Sequence, residues 1–347
     1  MARGCTALAG LGHRRMSTPD TDDSANPVLV NATRSGFTES RHRGSVLLLA
    51  TDGAQRQFGH AGCGTYPRSS LKPLQATAMV RAGLRLEPQL LALVTSSHSA
   101  TPEQVSAALD ILQGAGLTEH DLRCPADLPE LPELPDDIVG LIRAGGSPSP
   151  LQHNCSGKHS GMLATCVLNG WSTHDYLDRN HPLQRLILST VEEFTGETVT
   201  IVGTDGCGAP VPVVGLPALA RAIARVAVAS PDTAEGQVAA AARAWPVMVG
   251  GPERCISQVM PVVPGLLVKE GAEGVWVAAL TDGRTMVAKV DDGALRALPA
   301  ILAATLQSWG FDHPVIDRWA ADPILGGGLP VGALTASTTL RDWLAEG

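Results

Sequence analysis

Aromatic rings are scarce in this chain. Two tyrosines, four phenylalanines and six tryptophans make up only 3% of 347 residues, and no basic cluster accompanies them. Nucleic-acid affinity needs Lys/Arg stripes against phosphate and rings that stack on bases, so a nucleic-acid partner is excluded. Charge is thin as well: 17% of residues are charged, and 26 basic against 34 acidic side chains leave −8. With 44% apolar residues the composition is still globular and not disordered. Long apolar runs are missing. Stretches such as Val46–Ala50 fall far short of the roughly 20 residues that a bilayer-spanning helix requires, which excludes a membrane-spanning helix.

Cysteine is sparse and odd in number. The seven are Cys5, Cys63, Cys124, Cys155, Cys166, Cys207 and Cys255, with no Cys-x-x-Cys pair. That pattern suits reduced thiols in a cytoplasmic protein and argues against a disulfide scaffold. Cys63, Cys124 and Cys166 read as core or incidental, and Cys255 as a pocket thiol.

Residues 1–26 hold a short apolar stretch, then Arg14 and Arg15, then a polar run. The charge order is wrong for a secretory signal. They read as a disordered N-terminal extension, with Met16 as an alternative start, ahead of one domain over residues 27–347. Val28–Thr33 and Ser45–Thr51 read as strands, the second closed by Asp52-Gly53. Ser69–Leu84 reads as a helix with Pro73 in its first turn, and Leu90–Val94 as an apolar strand or buried segment. Thr101-Pro102-Glu103-Gln104 has the form of a capping box and opens a helix to Leu112. Prolines alternating with acids make Leu128–Asp137 an extended linker, and Gly145–Pro150 is a loop. Helices are expected at Ser156–Leu168, Pro182–Phe194, Pro217–Val228, Ala234–Ala244 and Leu295–Trp309, and a strand at Val199–Gly203. Leu266–Val268, Gly274–Leu280 and Thr285–Val290 form an antiparallel meander turning at Glu270-Gly271 and Asp282-Gly283. Strands at both ends with helices between them define an α+β class, an antiparallel sheet flanked by helices, with a helical subdomain.

Three groups of residues could carry chemistry. Ser69-Ser70-Leu71-Lys72 places a serine and a lysine one helical turn apart. A serine is a weak nucleophile until a base takes its proton, and a lysine can do so once burial or a second cation favours its neutral form. Ser97-His98-Ser99 and Lys269-Glu270-Gly271 follow in the order used by serine β-lactamases and penicillin-binding proteins, which is Ser-x-x-Lys, a serine loop, and Lys-Thr-Gly. The same segments also read as an N-cap serine and a strand-end lysine with no chemistry. Cys155-Ser156-Gly157-Lys158-His159 and Thr204-Asp205-Gly206-Cys207 form the third group. Two thiolates and a nitrogen base could hold a metal, but with no Cys-x-x-Cys pair the spacing alone favours two buried inert cysteines. His42 and His98 are candidate proton carriers or structural histidines. Gly326-Gly327-Gly328 reads as a flexible loop and not a phosphate cradle, because no Lys-Ser/Thr follows.

Together these segments resemble the asparaginase II family, the class 3, rhizobial-type L-asparaginases. The residues that carry the likeness are Arg34-Ser35-Gly36, Glu39-Ser40-Arg41-His42-Arg43-Gly44, Arg68-Ser69-x-x-Lys72-Pro73, Ser97-His98-Ser99, Asn154–Met162 and Gly203–Cys207. The resemblance extends from about residue 28 to the end of the chain, and the block around Cys155 is its most specific part. It implies a fold similar to serine β-lactamases and glutaminases, a homodimer, and hydrolysis of L-asparagine to L-aspartate and ammonia. It implies two Ser–Lys tandems, Ser69 with Lys72 and Ser97 with Lys269. It further implies a zinc site at Cys155, Lys158 and Cys207, and substrate contacts from Arg68, Asp205, His159 and Cys255. The expected course has Ser69 attacking with Lys72 as base, and Ser97 with Lys269 relaying protons. Three alternatives stay open: a β-lactamase- or peptidase-like acyl hydrolase, a glutaminase, and a non-catalytic zinc or small-molecule-binding protein. Glutamine differs from asparagine by one methylene, worth only about 1–3 kcal/mol.

Overall fold

A computed structural model describes residues 26–62, 64–128 and 136–346. The proposed extension, except Asn26, lies outside the described residues, as do Cys5, Cys63 and residues 129–135 of the proposed linker.

The sheet is organised by one long strand. β2 (Phe37–Leu49) pairs with β1 (Val28–Arg34) over its first half and with β10 (Thr285–Val290) over its second. β3 (Gln55–Phe58) also pairs with the second half. The passage falls at Gly44, where a Cβ would lie 2.1 Å from the Lys289 carbonyl oxygen. Only glycine admits so close a crossing. β9 (Val275–Ala279) and β8 (Leu267–Gly271) extend one side as the expected meander. β12 (Leu329–Ala336) and β11 (Ala321–Gly326) extend the other, so the antiparallel order is β11-β12-β1-β2-β10-β9-β8. Two small ribbons stand apart, β4 (Gly64–Thr65) with β7 (Val214–Gly215) and β5 (Val202–Thr204) with β6 (Pro210–Pro212).

Every residue of β8 and β9 is buried, which means that both faces of this half are covered. The helix Leu216–Val228 and the helix Leu298–Ser308 pack there. Beside it α1 (Lys72–Arg81), α2 (Pro88–Val94), α3 (Pro102–Gly114) and, after α4 (Asp136–Arg143), α5 (Ser156–Leu168) pack on one another. The molecule is α+β, as expected: a curled antiparallel sheet with 13 α-helices among the described residues.

The differences from expectation have local causes. Leu90–Val94 is helical, not extended: α2 starts at Pro88, whose fixed φ suits the first helical position. The helix expected from Ser69 opens as a 3-10 turn at Arg68–Leu71 and becomes α-helical at Lys72. The strand expected at Val199–Gly203 is the shorter β5. In the Gly326-Gly327-Gly328 run Gly326 ends β11 and Gly327-Gly328 are the turn of the β11–β12 hairpin, with φ of +59° at Gly327 and +81° at Gly328, the left-handed values that a tight hairpin turn demands. The capping box at Thr101 forms as expected, with Thr101 and Gln104 bonding each other's backbone N–H.

Two glycines set the site. In α5, a Cβ at Gly157 would lie 2.6 Å from the Leu93 carbonyl oxygen, and one at Gly161 would lie 2.8 Å from the Val94 side chain. Their absence of side chains lets α5 close onto α2, and so brings Cys155 and Lys158 beside the segment that follows α2.

Candidate active site

That segment is Ser96–Ala100, and it is clamped at every residue, beginning with Ser96 N–H on Leu93 O. Ser97 N–H donates to Val249 O and His98 N–H to Asn154 O. Ser99 Oγ donates to Gly250 O, and Ser99 N–H to Gln104 Oε1. His98 accepts from Ala100 N–H on Nδ1, which leaves the proton on Nε2 to bond Ser156 Oγ at 2.7 Å. Burial, then the charges of Lys72, His153 and Arg254, push the His98 ring down to about 3. It is a neutral tie between the serine loop and α5. His42 likewise bonds Asp292 and Arg296 and none of the site residues.

Two amines meet on Ser97. Lys72 Nζ lies 3.1 Å and Lys269 Nζ 3.0 Å from Ser97 Oγ. Lys72 also donates to the Ser96 carbonyl and approaches Cys155 Sγ at 3.2 Å. Lys269 also donates to Glu270 O at 3.0 Å. Lys72 and Lys269 are 1% exposed and Ser97 is 4% exposed. Burial and the positive charges of Lys72 and Arg254 push the Lys269 amine down to about 7, against the pull of Glu270 and Cys155. This is the crowding of amines that a neutral lysine requires.

Ser69 is placed differently. It is half-buried in the 3-10 turn, and among the described residues its hydroxyl has no hydrogen-bond partner. Lys72, three residues on, reaches Ser97 instead. Ser70 caps its own turn by donating to Pro67 O. The end of β8 presses on this turn: a Cβ at Gly271 would lie 2.5 Å from Pro67 O, which accounts for the glycine two residues after Lys269. Arg68 opens the turn at φ +52°, a conformation that costs a non-glycine residue about 1–3 kcal/mol. Its Nε bonds Asp205 Oδ1 at 2.7 Å, tying the first serine to the loop of Cys207.

On the far side of Lys72 lie the thiols. Cys155 hydrogen-bonds Cys207, and Lys158 Nζ is 3.0 Å from Cys207 Sγ. The Cys155 hydrogen bond and the Lys158 cation hold Cys207 far below the ordinary thiol range, although burial opposes them. Cys155 is pushed well above that range by its hydrogen bond to Cys207 and by burial. Burial alone would lower Lys158, but the negative charge of Cys207, Cys155 and Asp205 raises it. His159 is fully buried. Tyr176 O–H accepts from Arg123 N–H and hydrogen-bonds His159 Nδ1 at 2.8 Å, which holds the ring in place. No three His, Cys, Asp or Glu side chains gather as a metal centre among the described residues. The two touching sulfurs have an amine as their third donor. Cys255 is buried at the start of a short helix, its thiol raised well above the ordinary range by burial and by Glu270.

Ser97, Lys72, Lys269, Cys155, Lys158 and Cys207 therefore share one buried cluster, with Arg68 and Asp205 linked at its edge. Sequence reasoning missed two partners of Lys269, Glu270 and Arg254. It also passed over a signal in the composition. Of the 26 basic residues only four are lysines, Lys72, Lys158, Lys269 and Lys289. A guanidinium cannot give up its proton in a protein whereas an amine can, and three of the four amines stand in this cluster.

A buried hydroxyl held by two amines, one of them near neutrality, is a site for moving a proton off a serine. Residues 30–336 match the sequence profile of the L-asparaginase II family. The chain belongs to that family, which makes it an amidohydrolase by class and supports asparaginase function in general. No curated protein matches the chain.

Proposed function

We propose that the protein hydrolyses the side-chain amide of L-asparagine to L-aspartate and ammonia. The observation that carries this reading is the convergence of Lys72 and Lys269 on Ser97 Oγ in a chain of this family. Neutral Lys269 takes the Ser97 proton: the O–H bond breaks as an N–H bond forms, and the oxygen attacks the amide carbon. The same amine returns the proton to the departing nitrogen, the C–N bond breaks, and ammonia leaves. Water, deprotonated by the amine, then opens the acyl ester. This order makes Ser97 the nucleophile in preference to Ser69, because a base within hydrogen-bond reach is what a serine needs. Ser69, with its hydroxyl uncommitted, is left to bond substrate. Arg68 and Asp205 present opposite charges side by side, a match for the α-carboxylate and α-ammonium of an amino acid.

Two buried thiols and an amine suit a borderline-soft cation. Cys155, Lys158 and Cys207 would hold Zn²⁺, the thiol and the ammonium of the metal-free protein giving up their protons on binding, and the bound ion would supply a fixed positive charge beside Lys72. His159, held by Tyr176, would stand next to Lys158 in the chain without being a ligand. A homodimer and a reducing, cytoplasmic setting belong to the same reading, supported by the resemblance and by five described cysteines that are all free.

Ammonia release from L-asparagine, with L-glutamine and a chromogenic β-lactam in parallel, is the test. Turnover of asparagine that disappears in Ser97→Ala, with an acyl adduct trapped on Ser97 by mass spectrometry, supports the reading. An adduct on Ser69, or turnover of the β-lactam alone, overturns it. Metal content measured before and after chelation tests the zinc assignment separately.

A further inference from the structure

Lys269 has one neighbour that should capture it. Glu270 Oε1 lies 3.9 Å from Lys269 Nζ, and both side chains are buried. Left alone, such a carboxylate would draw the ammonium into a direct ion pair and hold it charged. The same oxygen is bonded by Arg254 Nη1 at 2.7 Å. The charged and titratable groups around the Lys269 amine are thus Lys72 from α1, Cys155 at the start of α5, Arg254 ahead of the helix Cys255–Val259, and Glu270 on its own strand.

We infer that Arg254 and Glu270 are a positioning pair for the reaction: Arg254 occupies the Glu270 carboxylate, so that Lys269 stays on Ser97 instead of turning to Glu270. The inference rests on the proposed asparaginase reading, but its central quantity can be read without turnover. Removing Arg254 frees the carboxylate to take the amine, which favours the ammonium. Removing the Glu270 charge takes away the attraction and favours the neutral amine. The two variants therefore shift Lys269 in opposite directions, which a merely structural ion pair would not do.

The scarcity of lysine makes the measurement practical. Protein labelled at lysine ¹³Cε shows signals from only four residues, assignable by single Lys→Arg replacement. In the full chain, the Lys269 titration midpoint is expected to rise by about one pH unit in Arg254→Met and to fall by a similar amount in Glu270→Gln, a roughly tenfold change in the protonation equilibrium. Arg254→Lys, which keeps the charge, should return the midpoint close to wild type. The ascending limb of the pH profile of ammonia release should move with each midpoint. Midpoints that shift the same way in both variants, or that stay at the wild-type value while activity falls, overturn the inference. Should Arg254→Met not fold, an unshifted midpoint in Glu270→Gln overturns it just as well. If the wild-type protein releases no ammonia from L-asparagine at any pH, the functional reading falls, and the midpoints still decide the pair.

Discussion

Lys269 and Lys158 are chemically the same side chain, each 1% exposed, yet the molecule drives them to opposite states. Lys269 faces a second amine and a hydroxyl, and falls to about 7. Lys158 faces a thiolate, a thiol and Asp205, and rises above its ordinary value. Burial penalises the charge at both positions: at Lys269 it prevails, with Lys72 and Arg254, over the pull of Glu270, whereas at Lys158 the sulfurs and Asp205 outweigh it. One pole is built to lose a proton and the other to keep it, across the width of Lys72.

The comparison breaks most sharply at Ser97. Ser97→Ala removes the hydroxyl that both amines share, and ammonia release is expected to fall by at least ~10³-fold. A variant that retains wild-type turnover would falsify the proton-transfer pole. At the other pole, Cys207→Ser leaves Lys158 buried without its thiolate, a loss of about 3–5 kcal/mol by analogy with broken buried ion pairs; urea unfolding of the metal-free protein measures it. No change in the unfolding midpoint would mean that the Lys158 charge is compensated elsewhere.

The two poles also predict opposite slopes of stability against pH. The folded Lys269 amine titrates at about 7 and the unfolded one at 10.5. Between those values the unfolded chain binds more protons, so this residue makes stability rise with pH across that window. Lys158 is raised in the folded state, so its contribution is present below 10.5 and is lost as pH climbs beyond it. Unfolding midpoints from neutral to alkaline pH should rise less steeply in Lys269→Met than in wild type, and equal slopes would remove the contrast. The smallest effect is expected at Gly157→Ala. Its Cβ, 2.6 Å from the Leu93 carbonyl oxygen, pushes α5 from α2 at a cost of about 1–3 kcal/mol, read as a lower thermal midpoint. Activity should drop further than stability, because Cys155 and Lys158 move with the helix.

Much of this was legible before any coordinates. The capping box, the meander and the helix behind Cys155 follow from local rules that act within a few residues. The residues of the cluster were legible through the family resemblance, since their spacing alone also fits serines and cysteines with no chemistry. Their connectivity was not. Ser69 and Lys72 stand one turn apart on paper, but the 3-10 turn and the clamped serine loop deliver Lys72 to Ser97. Glu270 escaped notice because a strand sends alternate side chains to opposite faces, which makes the neighbour of a catalytic lysine look like a bystander. The β11–β12 hairpin hid behind its three glycines, which read as slack when the first ends a strand and the other two are the turn.

The near-absence of lysine has a practical edge. Amine-directed conjugation, the usual route for attaching polymers or solid supports to a protein, would find three of the four lysine side chains sealed in the buried cluster and Lys289 alone outside it, itself half-buried with its amine bonded to the carbonyls of Glu273 and Val290. A lysine introduced at an exposed arginine would therefore give a nearly single-site handle, and reagent that silenced the protein before labelling that handle would be reporting directly on access to the buried cluster.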